Sequence, residues 1–215
     1  MNKFKKNKYL VVKKVIDTKV ADFVKDYLIL KKKVAETVTK ANNGNKIHPT
    51  YGAIGDTQVE GTFNMYGDPA TDTLLKNIKP LMEKQTGLKL IETYSYCRVY
   101  KKGDILRRHK DRPSCEISTT LNLGGDSWPI YLDPTEKQNK KGIKIDLKQG
   151  DMLIYSGCDL EHWREAFKGK SCVQVFLHYN KKNERSLKYD GRLHLGLPSI
   201  KEISISDKDS DFLIL

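Results

Sequence analysis

No run of about 18 or more apolar residues occurs in this chain of 215, so the sequence contains no membrane-spanning helix. The four cysteines (Cys97, Cys115, Cys158, Cys172) are dispersed and form no C-x-x-C pair, which argues against a disulfide framework or a zinc site built from them. No internal repeat is present. The segment Met1–Lys14 starts basic, but its apolar run Tyr9–Val12 is too short for a signal-peptide core and Lys13 ends it. A cytoplasmic protein with free thiols is therefore expected.

The length suits one domain with a sizeable core. The formal charge of +12 raises nucleic acid as a partner. The lysines, however, are spread along the whole chain among Asn and Ile, which fits a Lys/Asn-rich composition at least as well as a basic groove. Small anionic ligands would still benefit from the field.

Residues 18–38 carry helical periodicity. Val20, Phe23, Val24, Tyr27, Leu30 (or Leu28), Val34 and Val38 share a face, with Thr18 as N-cap. Residues 41–61, rich in Asn, Gly and Thr, read as a lid or binding loop or as a simple connection, and 134–142 is a second segment where a substrate lid would lie. Asp68-Pro69 opens a second helix whose stripe Leu74, Leu75, Ile78, Leu81 and Met82 ends at Gly87, and Pro80 is expected to kink or split it. Beyond Gly87 the period changes to two. Strands are expected at 88–100, 105–111, 116–123, 128–133, 143–147, 151–155 and 172–179, separated by turns such as Lys102-Gly103-Asp104 and Gln149-Gly150-Asp151. Short strands at this spacing after helices predict a mainly β protein: a double-stranded β-helix (jelly-roll) barrel with the N-terminal helices packed on one sheet. Residues 1–87 would be the helical support, 88–181 the core and 182–215 a polar tail ending in Phe212–Leu215.

Residues i and i+2 of a strand point to one face, so His109 and Asp111 can reach a single metal ion. His162 follows the strand 151–155 closely enough to complete the set. Two histidines and a carboxylate form the ligand set with which non-haem iron(II) oxygenases occupy one octahedral face. His48 and His194 lie in loop-like segments with no metal role expected. His178 shares a strand face with Lys170 and is read as lining the cavity or as structural.

Here the chain resembles the Fe(II)/2-oxoglutarate dioxygenase superfamily, and within it the prolyl 4-hydroxylase-like branch. The likeness runs from Tyr94 to Tyr179 through Tyr96–Asp104, His109-x-Asp111, Ile117–Asn122, Gln149–Tyr155, and His162 followed by a last strand ending Gln174–Tyr179. It implies Fe(II) held by His109, Asp111 and His162, with 2-oxoglutarate and O2 as co-substrates and ascorbate as an accessory. Relatives hold the far carboxylate of 2-oxoglutarate with a Lys or Arg nine or ten residues after the distal histidine. Here those places carry Ser171 and Cys172, so the resemblance points to Lys170, with Arg164 and Lys168 as rivals. Tyr100 stands where relatives use a tyrosine hydroxyl on that carboxylate, and Thr120 where some place a further contact. Arg98 shares a face with Tyr96 and Tyr100. A buried arginine needs an anion, so it too is a candidate contact.

The resemblance further implies hydroxylation of peptidyl proline in a protein or peptide. Alternatives are nucleic-acid, nucleotide or free amino-acid oxidation, or a metal-binding barrel that acts only as a partner-binding module. Against nucleic acid, base-repairing relatives carry an arginine pair along the strand after the distal histidine, whereas this chain has Arg164 and then none before Arg185.

Overall fold

The computed structural model describes residues 2–135, 137, 141–183 and 187–198. In chain order the elements are α1 (Lys3–Asn7), β1 (Tyr9–Val12), α2 (Thr18–Ala41), β2 (Ala53–Ile54), β3 (Phe63–Tyr66), α3 (Pro69–Thr86), β4 (Leu90–Lys101), β5 (Leu106–His109), β6 (Ile117–Gly125), β7 (Ile130–Asp133), β8 (Ile143–Ile145), β9 (Met152–Ser156), β10 (Glu161–Arg164) and β11 (Ser171–Lys181). They form two sheets. The major sheet has seven strands in the order β1-β9-β6-β11-β4-β3-β2, and the minor sheet has four in the order β5-β10-β7-β8. The described residues thus form the predicted jelly roll with helices on one face of the major sheet. None of their helices is long and apolar enough to cross a membrane.

Alternation along the central strands sorts the core. Cys97 and Val99 of β4, with Val173, Val175 and Leu177 of β11, face the helices and pack with Leu28, Leu75 and Met82. Tyr100 and Cys172 point the other way, into the barrel, with Leu106, Trp128 and Phe167. A third cluster, including Ile130, Leu132, Leu153 and Tyr155, joins the sheets beside it. The helices thus rest on one face of the major sheet, leaving its other face and the minor sheet to enclose a site.

Several local expectations are corrected. The N-terminal 87 residues are not only helical: Tyr9–Val12 pairs with β9 as an edge strand, and β2 and β3 extend the opposite edge. Asp17, not Thr18, caps α2, its carboxylate accepting from the Lys19 N–H at 2.7 Å. Pro80 does not split α3, which runs unbroken to an αL cap at Gly87. Proline removes one intrahelical bond, and burial of Leu74, Leu75, Ile78 and Met82 on both sides of it holds the helix together. The face of α2 that packs inward is Ala21, Val24, Leu28 and Ala35, while Val20, Phe23, Leu30 and Val34 are exposed. Two apolar stripes coexist on this helix, and periodicity alone merged them. Of the segment 134–142, residues 136 and 138–140 lie outside the described residues, as does the apolar end Phe212–Leu215.

Candidate metal centre and co-substrate pocket

β10 lies between β5 and β7, and its register sets His162 directly opposite His109. Asp111, two residues past His109, turns its Oδ1 toward both: 3.4 Å from Nε2 of His162 and 3.7 Å from Nε2 of His109. One ligand atom from each of the three residues lies within 4.8 Å of the others. The imidazoles are already oriented. His109 Nδ1 meets the Arg107 carbonyl at 2.8 Å, and His162 Nδ1 meets that of Leu160 at 3.1 Å. A carbonyl can only accept, so each Nδ1 carries the proton and each Nε2 presents its lone pair inward.

Asp111 is fixed in the same manner. Its Oδ2 accepts from the Ser118 hydroxyl at 2.7 Å, and the same Ser118 oxygen lies 3.0 Å from Nδ1 of His178. Burial alone would raise the Asp111 pKa, but His162, His178 and Ser118 outweigh it and hold the carboxyl well below the usual range. Burial, then the neighbouring His162, lowers the pKa of His109. An ionised carboxylate beside a neutral imidazole is the protonation state that metal ligation requires.

The cluster lines a cavity of about 430 Å³ walled by Leu106, Ile130, Tyr155 and Phe176, with Tyr94, Tyr96, Arg98, Tyr100, Arg112 and His178 also facing it. Asp56, Thr57 and Gln58, from the connection between β2 and β3, close one side. That loop is tied down by Arg98, whose Nη2 donates to Asp56 Oδ2 at 2.6 Å and to Gln58 Oε1 at 2.8 Å; Tyr96 Oη donates to the same Asp56 oxygen at 2.6 Å.

Among the described residues, three buried side-chain polar atoms have no hydrogen-bond partner: Arg98 Nη1, Tyr100 Oη and Arg164 Nε. Such atoms are uncommon in a folded protein and costly to leave unmade. Burial pushes the Tyr100 phenol up to about 12, so its oxygen carries a proton to donate. Arg164, 1% exposed, donates to the Trp128 carbonyl and, at 3.3 Å, to Thr120 Oγ1. No carboxylate pairs with it among the described residues, and burial lowers its pKa. Arg98 and Tyr100 line the cavity, and Arg164 lies behind it against Trp128 and Thr120. Unmet cationic and phenolic donors beside a His/Asp cluster suit an organic dianion held together with a metal, so the residues fit both Fe(II) and 2-oxoglutarate.

Of the residues singled out in the sequence, the fold brings together His109, Asp111, His162, Tyr100 and Arg98 around one cavity. Thr120 lies behind it, fully buried, bonding Gln174 at 3.0 Å and receiving Arg164. Lys170 is not brought in. It is exposed in the turn before β11, outside the cavity lining, with its backbone N–H on Asp126. The reason is where the strand starts: inward alternation along β11 begins at Cys172, so Lys170 precedes it and keeps its ammonium in water. The buried cation stands two residues after His162 instead. Alternation along β10 could have found it, because His162 and Arg164 share a face. The segment 41–61, open in the sequence between a binding loop and a connection, does supply cavity residues, but nothing in the sequence singled out Asp56 and Gln58 within it.

No family model and no curated protein matches the sequence. Solved structures do match. A prolyl-4-hydroxylase from Pseudomonas putida superposes with a TM-score of 0.60 at 12% identity, over 84% of this chain and 96% of its own. The viral collagen prolyl hydroxylase of Paramecium bursaria Chlorella virus-1, in complex with 2-oxoglutarate, gives 0.56 at 12% identity over 81% and 97%. HygX from Streptomyces hygroscopicus, with nickel, 2-oxoglutarate and hygromycin B bound, gives 0.60 at 11% identity over 83% and 85%. The chain has the 2-oxoglutarate/Fe(II) oxygenase fold.

Proposed function

We propose that this protein is an Fe(II)- and 2-oxoglutarate-dependent dioxygenase that hydroxylates a C–H bond, with a proline-containing peptide as its substrate class. The observation that carries the activity is the pre-oriented set His109, Asp111 and His162 at the wall of a cavity that also holds unpaired buried donors. The peptide reading rests on the prolyl-hydroxylase resemblance in the sequence and on the two prolyl hydroxylases among the fold neighbours.

In this reading His109, Asp111 and His162 would hold iron through Nε2, Oδ1 and Nε2, the atoms that already face one another. Ser118 keeps Asp111 Oδ2 occupied, so that Oδ1 alone faces the imidazoles. Arg164 and Tyr100 receive the far carboxylate of 2-oxoglutarate, and Arg98 offers Nη1 to a second anionic group of co-substrate or substrate. When bound, the iron and 2-oxoglutarate supply the oxidation, in which one O2 converts 2-oxoglutarate to succinate and CO2 and the substrate C–H to C–OH. Leu106, Ile130 and Phe176 exclude water from the reacting side of the cavity, and the Asp56–Gln58 loop covers it.

The test is succinate release from 2-oxoglutarate with Fe(II) and ascorbate, with and without proline-rich peptides, using His109→Ala as blank. Peptide-stimulated turnover above the blank supports both parts of the reading. Slow, peptide-independent turnover retains the oxygenase and discards the peptide in favour of a small molecule or nucleic acid. No succinate from protein shown to hold Fe(II) discards the enzyme.

A further inference from the structure

α2 carries an apolar stripe that its own fold leaves uncovered. Phe23 is 70% exposed, Leu30 61%, Val20 43% and Val34 38%, with Tyr27 half-buried between them. The positions 20, 23, 27, 30 and 34 alternate in steps of three and four, the spacing with which one helix presents a continuous seam to another. At about 100° per residue the seam lies roughly 110° round from the buried Ala21–Val24–Leu28–Ala35 face, so it is a second face and not the fringe of the first. The patch does not end with the helix. Lys31 Nζ donates to the Thr50 carbonyl at 2.7 Å, which brings the adjoining Tyr51 and, beyond it, Ile54 of edge strand β2 to the same side, both about 40% exposed. Single exposed apolar residues need no explanation, but a contiguous set on this scale marks an interaction surface.

We propose that this seam pairs with the same seam of a second copy of the chain, the two α2 helices running antiparallel. Charge placement at the centre of the seam fits that partner. With Tyr27 opposite Leu30 of the second copy, Phe23 faces its Val34 and Val20 its Thr37. In this register the flanking Asp26 falls beside Lys33 of the other copy, twice by symmetry, within the apolar layers, while Lys19 meets Lys40 only beyond the last of them, Val20 against Thr37. Asp26 is 73% exposed, with only Lys25 at 4.0 Å, and Lys33 has no partner among the described residues. On the other flank Val24 is buried and Lys31 is turned inward onto Thr50 and Asp68, so no unpaired charge opposes approach there. A parallel pair would set Asp26 beside Lys31 and lose the match to Lys33. This inference is independent of the proposed oxygenase activity.

The test is the oligomeric state of the full chain by analytical ultracentrifugation from about 1 to 100 µM, a range that brackets a micromolar dissociation constant. A dimer is expected. Phe23→Lys with Leu30→Lys should weaken it at least ~100-fold, as for loss of two buried anchors, with an unchanged circular dichroism spectrum because neither side chain supports the core. Asp26→Lys or Lys33→Asp alone should weaken the dimer by about 5-fold or more, and the two together should restore it. A monomer throughout the range, a dimer indifferent to Phe23 and Leu30, or charge reversals that fail to rescue one another would each overturn the proposal.

Discussion

Two buried arginines, Arg192 and Arg164, are equally shielded from water and oppositely provided for. Arg192 comes from the chain after β11 and inserts between α3 and β4. Its Nη1 pairs with Asp72 Oδ2 at 2.9 Å and meets the Leu197 carbonyl at 2.6 Å, Nη2 meets the Thr93 carbonyl at 3.0 Å, and Nε meets that of Tyr189 at 2.9 Å. Asp72 in turn accepts from Ser95 and Gly196. Every nitrogen is bonded and the charge is neutralised inside the protein. Among the described residues Arg164 has two neutral acceptors, one unmade donor and no anion. A desolvated guanidinium without a counter-ion is expensive. The first arginine is satisfied within the fold; the second keeps an unmade donor.

The largest effect expected from this contrast falls on the first arginine. Arg192→Met leaves Asp72 buried and unpaired, and should lower unfolding stability by about 3–5 kcal/mol in urea titrations. A loss below about 1 kcal/mol would show that the pair is not what holds the C-terminal segment to α3. Arg164→Met should do the reverse. Stability stays level or rises, since an unpaired buried charge is replaced by a side chain that packs, while 2-oxoglutarate binding by calorimetry weakens by about 2–5 kcal/mol. Destabilisation comparable to that of Arg192→Met, with 2-oxoglutarate binding intact, would erase the distinction.

The same difference should be visible without mutation. Mn(II) plus 2-oxoglutarate at about one hundred times their dissociation constants should stabilise the wild type by roughly 2.7 kcal/mol for each ligand, and His109→Ala by almost nothing. A thermal shift that survives His109→Ala would place the binding elsewhere. The smallest effect concerns pH. Burial raises the Asp190 carboxyl, but Ser114, Tyr66 and Arg112 outweigh it and leave the pKa below its ordinary value. A depressed folded-state pKa contributes stability that is present above the unfolded value of about 3.9 and lost as pH falls through the folded one. Arg112→Met should therefore flatten the decline in Tm on acidification below roughly pH 4. An unchanged acid limb would show that the Arg112–Asp190 contact at 2.6 Å contributes nothing.

The strand pattern and the meeting of His109 with Asp111 were legible because both depend on short-range alternation. His109 and Asp111 share a face by spacing alone, and the outward Val173, Val175 and Leu177 separate from the inward Cys172 and Phe176 in the same way. Which cation is buried was not legible, because Lys170 and Arg164 both follow His162 and only the start of β11 decides which of them is inside. The segment 41–61 was open between a binding loop and a connection, and its partners were hidden, since the contacts of Asp56 to Arg98 and Tyr96 span about forty residues and no local period encodes them.

The sequence by itself determined the fold class, the cap at Asp68 and Gly87, and three side chains able to meet at one point, since hydrophobic period, turn chemistry and i to i+2 geometry are local. Tertiary structure alone decided which stripe of α2 is buried, which cation is dry, and that β1 to β3 belong to the major sheet. Those choices compare the free energies of burying competing groups against distant partners, and that comparison exists only once the chain has closed on itself.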